Sequence, residues 1–158
     1  MSVKTFSKGL GFGLTSGVIT TLGLIIGLGF STESKLAVIT GILTIALADS
    51  FSDALGIHIS EEAQGAASHK EVWGATLYTL LFKIIFSLTF LIPVLILPLK
   101  LSLLVCCVWG LLVLGVFSYV IGKRGNKNPL KVILEHLTVT LFVIVVTYLL
   151  GILISRLM

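Results

Sequence analysis

Two aspartates stand in the middle of an apolar run, ITGILTIALADSFSDALGIHISEE, at residues 39–62. Asp49 and Asp53 are four positions apart, so on a helix they share a face. An Asp at the centre of a membrane-spanning helix costs about 2.5 to 3.5 kcal/mol on insertion scales, and it usually faces a partner or water. A divalent cation would offset both the desolvation and the mutual repulsion of the carboxylates, and protons would compete for the same oxygens. The pair therefore predicts a site where metal and protons exchange.

A structural interpretation of the same pair stays open. Lys83 is the lone base within the third apolar segment of the chain. An ion pair with Lys83 would neutralise one carboxylate, Asp49 or Asp53, and leave a packing element rather than a binding site. The two interpretations can coexist, with Lys83 at one carboxylate whenever the metal has left.

Small residues form a stripe along the first apolar segment, GLGFGLTSGVITTLGLIIGLGF. At 100° per residue, the glycines and hydroxyl residues named below fall in one narrow sector. Small residues at four-residue spacing let helices approach closely in lipid. The stripe predicts either a plain packing groove or a dimer interface whose hydroxyl oxygens meet a permeating ion. The packing residues are Gly9, Gly13, Gly23 and Gly27, and the oxygen donors are Ser16 and Thr20.

Imidazole and carboxylate groups follow the aspartates at the end of the second segment and after the next turn. This combination suits first-row divalent metals better than Mg²⁺ or Ca²⁺. It predicts capture of metal from the cytosol, although a solvated helix end carries the same residue types by default. A further pair near the inner end of the last segment is either an inner vestibule or an interfacial cap. The capture residues are His58, Glu61, Glu62, His69 and Glu71, and the vestibule residues are Glu135 and His136.

Long apolar helices must position these residues. Of the 158 residues, 56% are hydrophobic and 11% charged, against about 25% charged in soluble domains, which excludes a water-soluble globule. Five segments are each long enough to cross a hydrocarbon core of roughly 30 Å. The sequence predicts an all-α polytopic membrane protein, one transmembrane domain over residues 1–158, whose first segment is a helix of the mature chain rather than a signal peptide. The predicted helices cover about 9–30, 36–60, 72–97, 101–122 and 130–155.

The basic residues predict the orientation, because Lys and Arg in short loops favour the cytosolic side. With the N-terminus inside, seven basic residues lie on the inner side and three on the outer side. We therefore expect a cytosolic N-terminus and an external C-terminus, in a prokaryotic cell membrane by default. The basic stretch GKRGNKNPLK is then a cytosolic loop and needs no nucleic acid as a partner. No nucleophile and base occur at a spacing typical of an enzyme.

The order of these features resembles the vacuolar iron transporter family. Residues 16–27 (SGVITTLGLIIG) are similar to the first helix of that family, 52–60 (SDALGIHIS) to the end of its second helix, and 128–151 (NPLKVILEHLTVTLFVIVVTYLLG) to its last helix. The resemblance implies a five-helix homodimer that exports Fe²⁺ or Mn²⁺ from the cytosol, with the path between subunits and no permanently bound cofactor. The path residues expected on all these grounds are Asp49, Asp53, Ser16, Thr20 and Ser52.

Three positions depart from the family pattern. Ser16 stands where the family has an Asp in its path, Asp53 where it has a Met, and Ile57 where it has a Glu. A carboxylate in place of a thioether makes the site harder, which favours Mn²⁺ over Fe²⁺. The glutamate-rich cytosolic insert of the family is also missing, so the chain is interpreted as a minimal, divergent relative.

The leading hypothesis is a dimeric exporter of Fe²⁺ or Mn²⁺ that exchanges metal for protons at Asp49 and Asp53. One alternative is a non-transporting membrane scaffold, in which the two aspartates and Lys83 form a buried polar lock. Another is a channel or exchanger for a monovalent cation such as Na⁺ or H⁺, which needs no histidine.

Overall fold

The computed structural model describes residues 3–65 and 68–157, and these are helical with short connections. Within them, five helical segments are long and apolar enough to cross a membrane, which confirms the predicted all-α class and is the pattern of an integral membrane protein. The observed ends of each segment lie within a few residues of the predicted ends. The helices are α1 (Val3–Thr32), α2 (Lys35–Thr44), α3 (Ser50–Gln64), α4 (His69–Thr89), α5 (Leu91–Ile96), α6 (Leu99–Arg124) and α7 (Pro129–Leu157).

A π-helical segment, Ile45–Asp49, joins α2 to α3. The backbone N–H of Ser50 donates to the carbonyl of Ile45, five residues earlier, and the Ser50 hydroxyl donates to the same oxygen at 3.3 Å. Together α2, the π segment and α3 form the second candidate span, Lys35–Gln64. Asp49, the last π residue, therefore lies near the middle of that span.

The third candidate span is interrupted shortly before Pro93. Helix α4 ends at Thr89 and α5 begins at Leu91, so Pro93 lies in the first turn of α5, where no helical partner for its missing N–H is needed. The two helices together form the third candidate span, His69–Ile96.

A glycine ends the second candidate span. Gly65 has a φ of 64° and ends α3 in the left-handed region, which glycine enters without a steric penalty. Helix α4 then begins with a capping box, in which the Glu71 carboxylate accepts hydrogen bonds from the backbone N–H and the hydroxyl of Ser68.

The chain divides into two compact units. The first consists of Met1–Thr21 and Ile42–Leu91, and the second of Leu22–Gly41 and Ile92–Met158. In the first, α1 lies close to α4: a Cβ added to Gly13 would stand 2.6 Å from the carbonyl oxygen of Thr79. In the second, α1 lies against α7, and a Cβ added to Gly23 would stand 3.1 Å from Val143.

The glycine stripe of α1 therefore has neighbours within the same chain. Gly9 and Gly13 face α4, and Gly23 and Gly27 face α7. Of the two interpretations of the stripe, a packing groove accounts for these contacts without a second subunit. The predicted homodimer stays a prediction.

Candidate functional site

Lys83 of α4 meets both aspartates of the second span within the first unit. Its Nζ lies 2.5 Å from Oδ2 of Asp49 and 2.5 Å from Oδ2 of Asp53. The ammonium donates hydrogen bonds to Asp53 Oδ2 and, at 3.0 Å, to Ser16 Oγ of α1, whereas its contact with Asp49 lies outside hydrogen-bonding geometry. The Ser16 hydroxyl in turn donates to Asp53 Oδ2 at 2.5 Å. We call these four residues the Lys83 cluster.

The burial of the Lys83 cluster is uneven. The Lys83 side chain is 0% exposed, while those of Asp53 and Asp49 are 23% and 38% exposed. A buried ammonium without a partner is very costly, so Lys83 depends on the carboxylates. With all three groups ionised, the cluster carries one negative charge in excess. The more exposed carboxylates therefore form the side from which a further cation could approach.

Two glycines allow α1 to approach the cluster closely. A Cβ added to Gly13 would also stand 3.1 Å from the backbone nitrogen of Lys83, and one added to Gly17 would stand 3.1 Å from its carbonyl oxygen. Both distances are shorter than an ordinary van der Waals contact between heavy atoms. Because α1 carries no side chain at either position, Ser16 reaches the Lys83 ammonium directly.

The π segment contributes Asp49 to the cluster. Single-turn π segments inside α-helices occur frequently at functional sites, since the extra residue redirects nearby side chains. Asp49 ends this segment and Asp53 lies in the first turn of α3. Both carboxylates reach the same ammonium, so the sequence-based expectation of one shared face is confirmed.

A second charged contact lies nearer the Gly65 end of α3. Glu61 Oε1 is 2.6 Å from Lys8 Nζ of α1. Nearby, His58 Nδ1 lies 3.0 Å from Thr76 Oγ1, its Nε2 lies 3.3 Å from Glu62 Oε1, and its ring makes an edge contact with Trp73.

Of the residues predicted for metal capture, the structure brings His58 and Glu62 together, and the other three have separate partners. Glu61 pairs with Lys8, Glu71 caps α4, and the ring of His69 lies 6.3 Å from that of Trp73. Across residues 3–65 and 68–157, no group of three or more His, Cys, Asp or Glu side chains is arranged to hold a metal ion. Cytosolic metal capture by this segment stays a prediction.

The predicted vestibule residues lie in the second unit. His136 Nδ1 is 2.7 Å from the hydroxyl of Ser118, which is fully buried in α6, while Glu135 is exposed. The structure therefore gives His136 a partner on a neighbouring helix that the sequence did not indicate.

The remaining predicted path residues are not part of the Lys83 cluster. Thr20 donates to the backbone carbonyl of Ser16 at 2.8 Å, within its own helix, and Ser52 is exposed. Sequence reasoning missed the Lys8–Glu61 pair and the buried hydroxyl of Thr79, which has no hydrogen-bond partner among the residues that the structure describes. The four-residue spacing of Thr79 and Lys83, which places both on one face of α4, could have indicated that the Thr79 hydroxyl lies near the lysine.

No family model, curated protein or solved structure matches this chain. The class of protein is therefore defined by the described residues. They form an integral membrane protein with five candidate spans and a lysine–aspartate cluster near the middle of the second and third spans. Similarity to the vacuolar iron transporter family stays a prediction.

Proposed function

We propose that the protein is a cation transporter that exports Fe²⁺ or Mn²⁺ from the cytosol in exchange for protons, with Asp49 and Asp53 as the exchange site. The observation that carries this proposal is the meeting of two carboxylates at one buried ammonium, in the middle of two candidate spans. With all three groups ionised, the cluster would carry one negative charge in excess. Because such charge is costly in a bilayer, function is the first explanation to test.

The donor atoms favour a hard cation. Asp49, Asp53 and Ser16 offer carboxylate and hydroxyl oxygens, and the cluster has no sulfur or imidazole. Oxygen ligands suit Mn²⁺ better than softer metals. Of the two metals in the proposal, Mn²⁺ is therefore the better match.

Exchange follows from the chemistry of the two carboxylates. A metal ion needs them ionised, and protonation of either carboxylate removes a ligand. Proton uptake at the aspartates would therefore favour metal release. Both aspartate side chains are partly exposed, whereas the Asp49 Oδ2 atom that faces Lys83 is buried.

The proposed direction and assembly rest on the sequence. The excess of Lys and Arg in the predicted inner loops favours a cytosolic N-terminus, and the family resemblance implies a homodimer. Export is the direction that this resemblance implies.

The test is Mn²⁺ and Fe²⁺ transport into proteoliposomes that contain a pH-sensitive dye. Wild-type protein should move metal inward and protons outward, and Asp49→Asn/Asp53→Asn should do neither. Glu33→Gln, an exposed acid in the connection between α1 and α2, is the matched control and should behave like wild type. Absence of metal movement in folded, inserted wild-type protein would overturn the proposal.

A monovalent cation is the second candidate, and one observation favours it. Two carboxylates share one ammonium, so with all three groups ionised a single additional positive charge would balance the cluster. Sodium-dependent proton movement in the same liposomes, with no response to Mn²⁺, would select this function. A scaffold, by contrast, would move none of these ions.

A further inference from the structure

We infer that Lys83 is a tethered cation that competes with the transported cation for Asp49 and Asp53, and that the Thr79 hydroxyl accepts the Lys83 ammonium when the cation displaces it. This inference rests on the proposed function and concerns how the same site releases its cargo.

The first argument is the position of the ammonium. Its nitrogen lies 2.5 Å from one oxygen of each aspartate, and protein-bound divalent cations lie about 2.0–2.6 Å from carboxylate oxygens. A cation held by the same two oxygens would therefore overlap the ammonium. Two positive charges in one partly buried site would also repel each other strongly. Occupation by Lys83 and by the cargo is mutually exclusive for steric and electrostatic reasons.

The second argument is the hydroxyl of Thr79. Thr79 precedes Lys83 by four residues on α4, so the two side chains share a face. Both are 0% exposed, and among the described residues the Thr79 Oγ1 has no hydrogen-bond partner. Buried polar atoms without partners are rare in native proteins and call for a physical explanation. An ammonium on a flexible four-carbon stem can turn to this oxygen without leaving its helix.

Among the residues that the structure describes, three polar side chains from other helical segments contact the Lys83 ammonium. The charged or polar side chains that contact Lys83 are Asp49 from the π segment, Asp53 from α3 and Ser16 from α1. On the α1 side, the backbone at Gly13 and Gly17 lies directly against α4. Once a cation holds the carboxylates, Thr79 is the unused acceptor one turn away.

Such a competitor would set the affinity of the site. With Lys83 present, the cargo binds only by displacing an ammonium already paired with both carboxylates, and the returning ammonium promotes release. Without it, the two carboxylates would retain the cation. The inference therefore predicts tighter binding and slower transport when the charge at position 83 is removed.

The experiment measures Mn²⁺ binding to the purified full-length protein, from the loss of the free Mn²⁺ signal in electron paramagnetic resonance. Lys83→Met should tighten binding by at least about tenfold. Lys83→Arg keeps the charge and holds carboxylates with a planar fork, so it should weaken binding by about tenfold. Thr79→Val should weaken binding by about threefold because the displaced ammonium loses its acceptor, whereas Thr147→Val, whose hydroxyl bonds its own helix, should change nothing.

The outcomes separate this inference from the proposed function. Opposite effects of Lys83→Met and Lys83→Arg support a competitor, whereas weaker binding in both indicates a purely structural role and overturns it. Wild-type affinity in Lys83→Met, with binding lost in Asp49→Asn/Asp53→Asn, overturns the inference and leaves the proposed function standing. Absence of Mn²⁺ binding in the wild type and in every variant overturns both. If Lys83→Met does not fold, Lys83→Arg and Thr79→Val decide, and wild-type affinity in either one overturns the inference.

Discussion

The ammonium nitrogen of Lys83 lies 2.5 Å from Oδ2 of Asp53, which places a fully buried base of the third span against a carboxylate of the second. Since Asp49 approaches the same nitrogen equally closely, two acids share one lysine. Substitutions at Asp49, Asp53 and Lys83 should therefore have coupled effects on the free energy of unfolding, and these effects should not be additive.

Lys83→Met should lower the free energy of unfolding by about 3 kcal/mol in metal-free buffer. This is the low end of the range for a broken buried ion pair, because both aspartates are partly exposed. The triple variant Asp49→Asn/Asp53→Asn/Lys83→Met should recover most of the loss. Unfolding in mixed detergent micelles measures both values, and a triple variant no more stable than Lys83→Met would contradict electrostatic coupling.

Ser16→Asp should bring a third carboxylate to the cluster and raise its excess negative charge by one. We expect Mn²⁺ to bind about tenfold more tightly and the metal-free protein to be less stable, because like charges are brought together. Ser16→Ala removes the hydroxyl contacts and serves as the control; it should cost about 1.5 kcal/mol of stability. Melting temperatures with and without Mn²⁺ report both effects, and equal metal-induced shifts in the two variants would count against this prediction.

Gly13→Ala should destabilise the protein by about 1–3 kcal/mol, a typical cost of overpacking. The added methyl would stand 2.6 Å from the backbone oxygen of Thr79, which cannot move without separating α1 from α4. Gly115→Ala is the matched control, because nothing lies within 4 Å of its added Cβ. That variant should be neutral or stabilised by up to about 1 kcal/mol through helix propensity. Thermal unfolding compares them, and equal stability of the two variants would refute the close packing described above.

The Lys8–Glu61 pair should contribute only about 0.5–1 kcal/mol, because Lys8 is 46% exposed and water screens the interaction. A double-mutant cycle with Lys8→Met and Glu61→Gln measures this coupling energy. It should fall further at high salt. A coupling above about 2 kcal/mol would show that this contact is much less hydrated than its exposure indicates.

The orientation can be tested by cysteine labelling in a Cys106→Ala/Cys107→Ala background. With the N-terminus in the cytosol, the connection after α1 faces outward and the one after α6 faces inward. Ser34→Cys should therefore react with an impermeant maleimide added to intact cells, and Asn126→Cys only after the cells are opened. The reverse pattern would contradict the predicted topology.

Helix existence and breaks could be predicted because they depend on local sequence. Length and apolarity located the five spans. The break in the third span and the end of α3 lie at a proline and a glycine, Pro93 and Gly65, which are local signals of the same kind. The four-residue spacing of the aspartates likewise placed them on one face. None of these features requires knowledge of which helices are neighbours.

Partner choice could not be predicted, because periodicity gives the face of a helix and not what it faces. The sequence left open which aspartate Lys83 would meet, and the structure shows both. It also did not indicate that Glu61 would meet Lys8, since the two are far apart in the chain. The π segment was missed for another reason: its apolar residues are compatible with an ordinary helix, and its extra residue leaves no compositional signal.

The π segment also determines how this chain can be aligned with others. A π turn behaves as a one-residue insertion in an α-helix, so residues before and after it are out of α-helical phase by about 100°. A relative whose second span is α-helical throughout would align with this chain only if a one-residue gap is placed within Ile45–Asp49. Without that gap, every position on one side of Asp49 is paired with the wrong residue, and a shared carboxylate there would be overlooked.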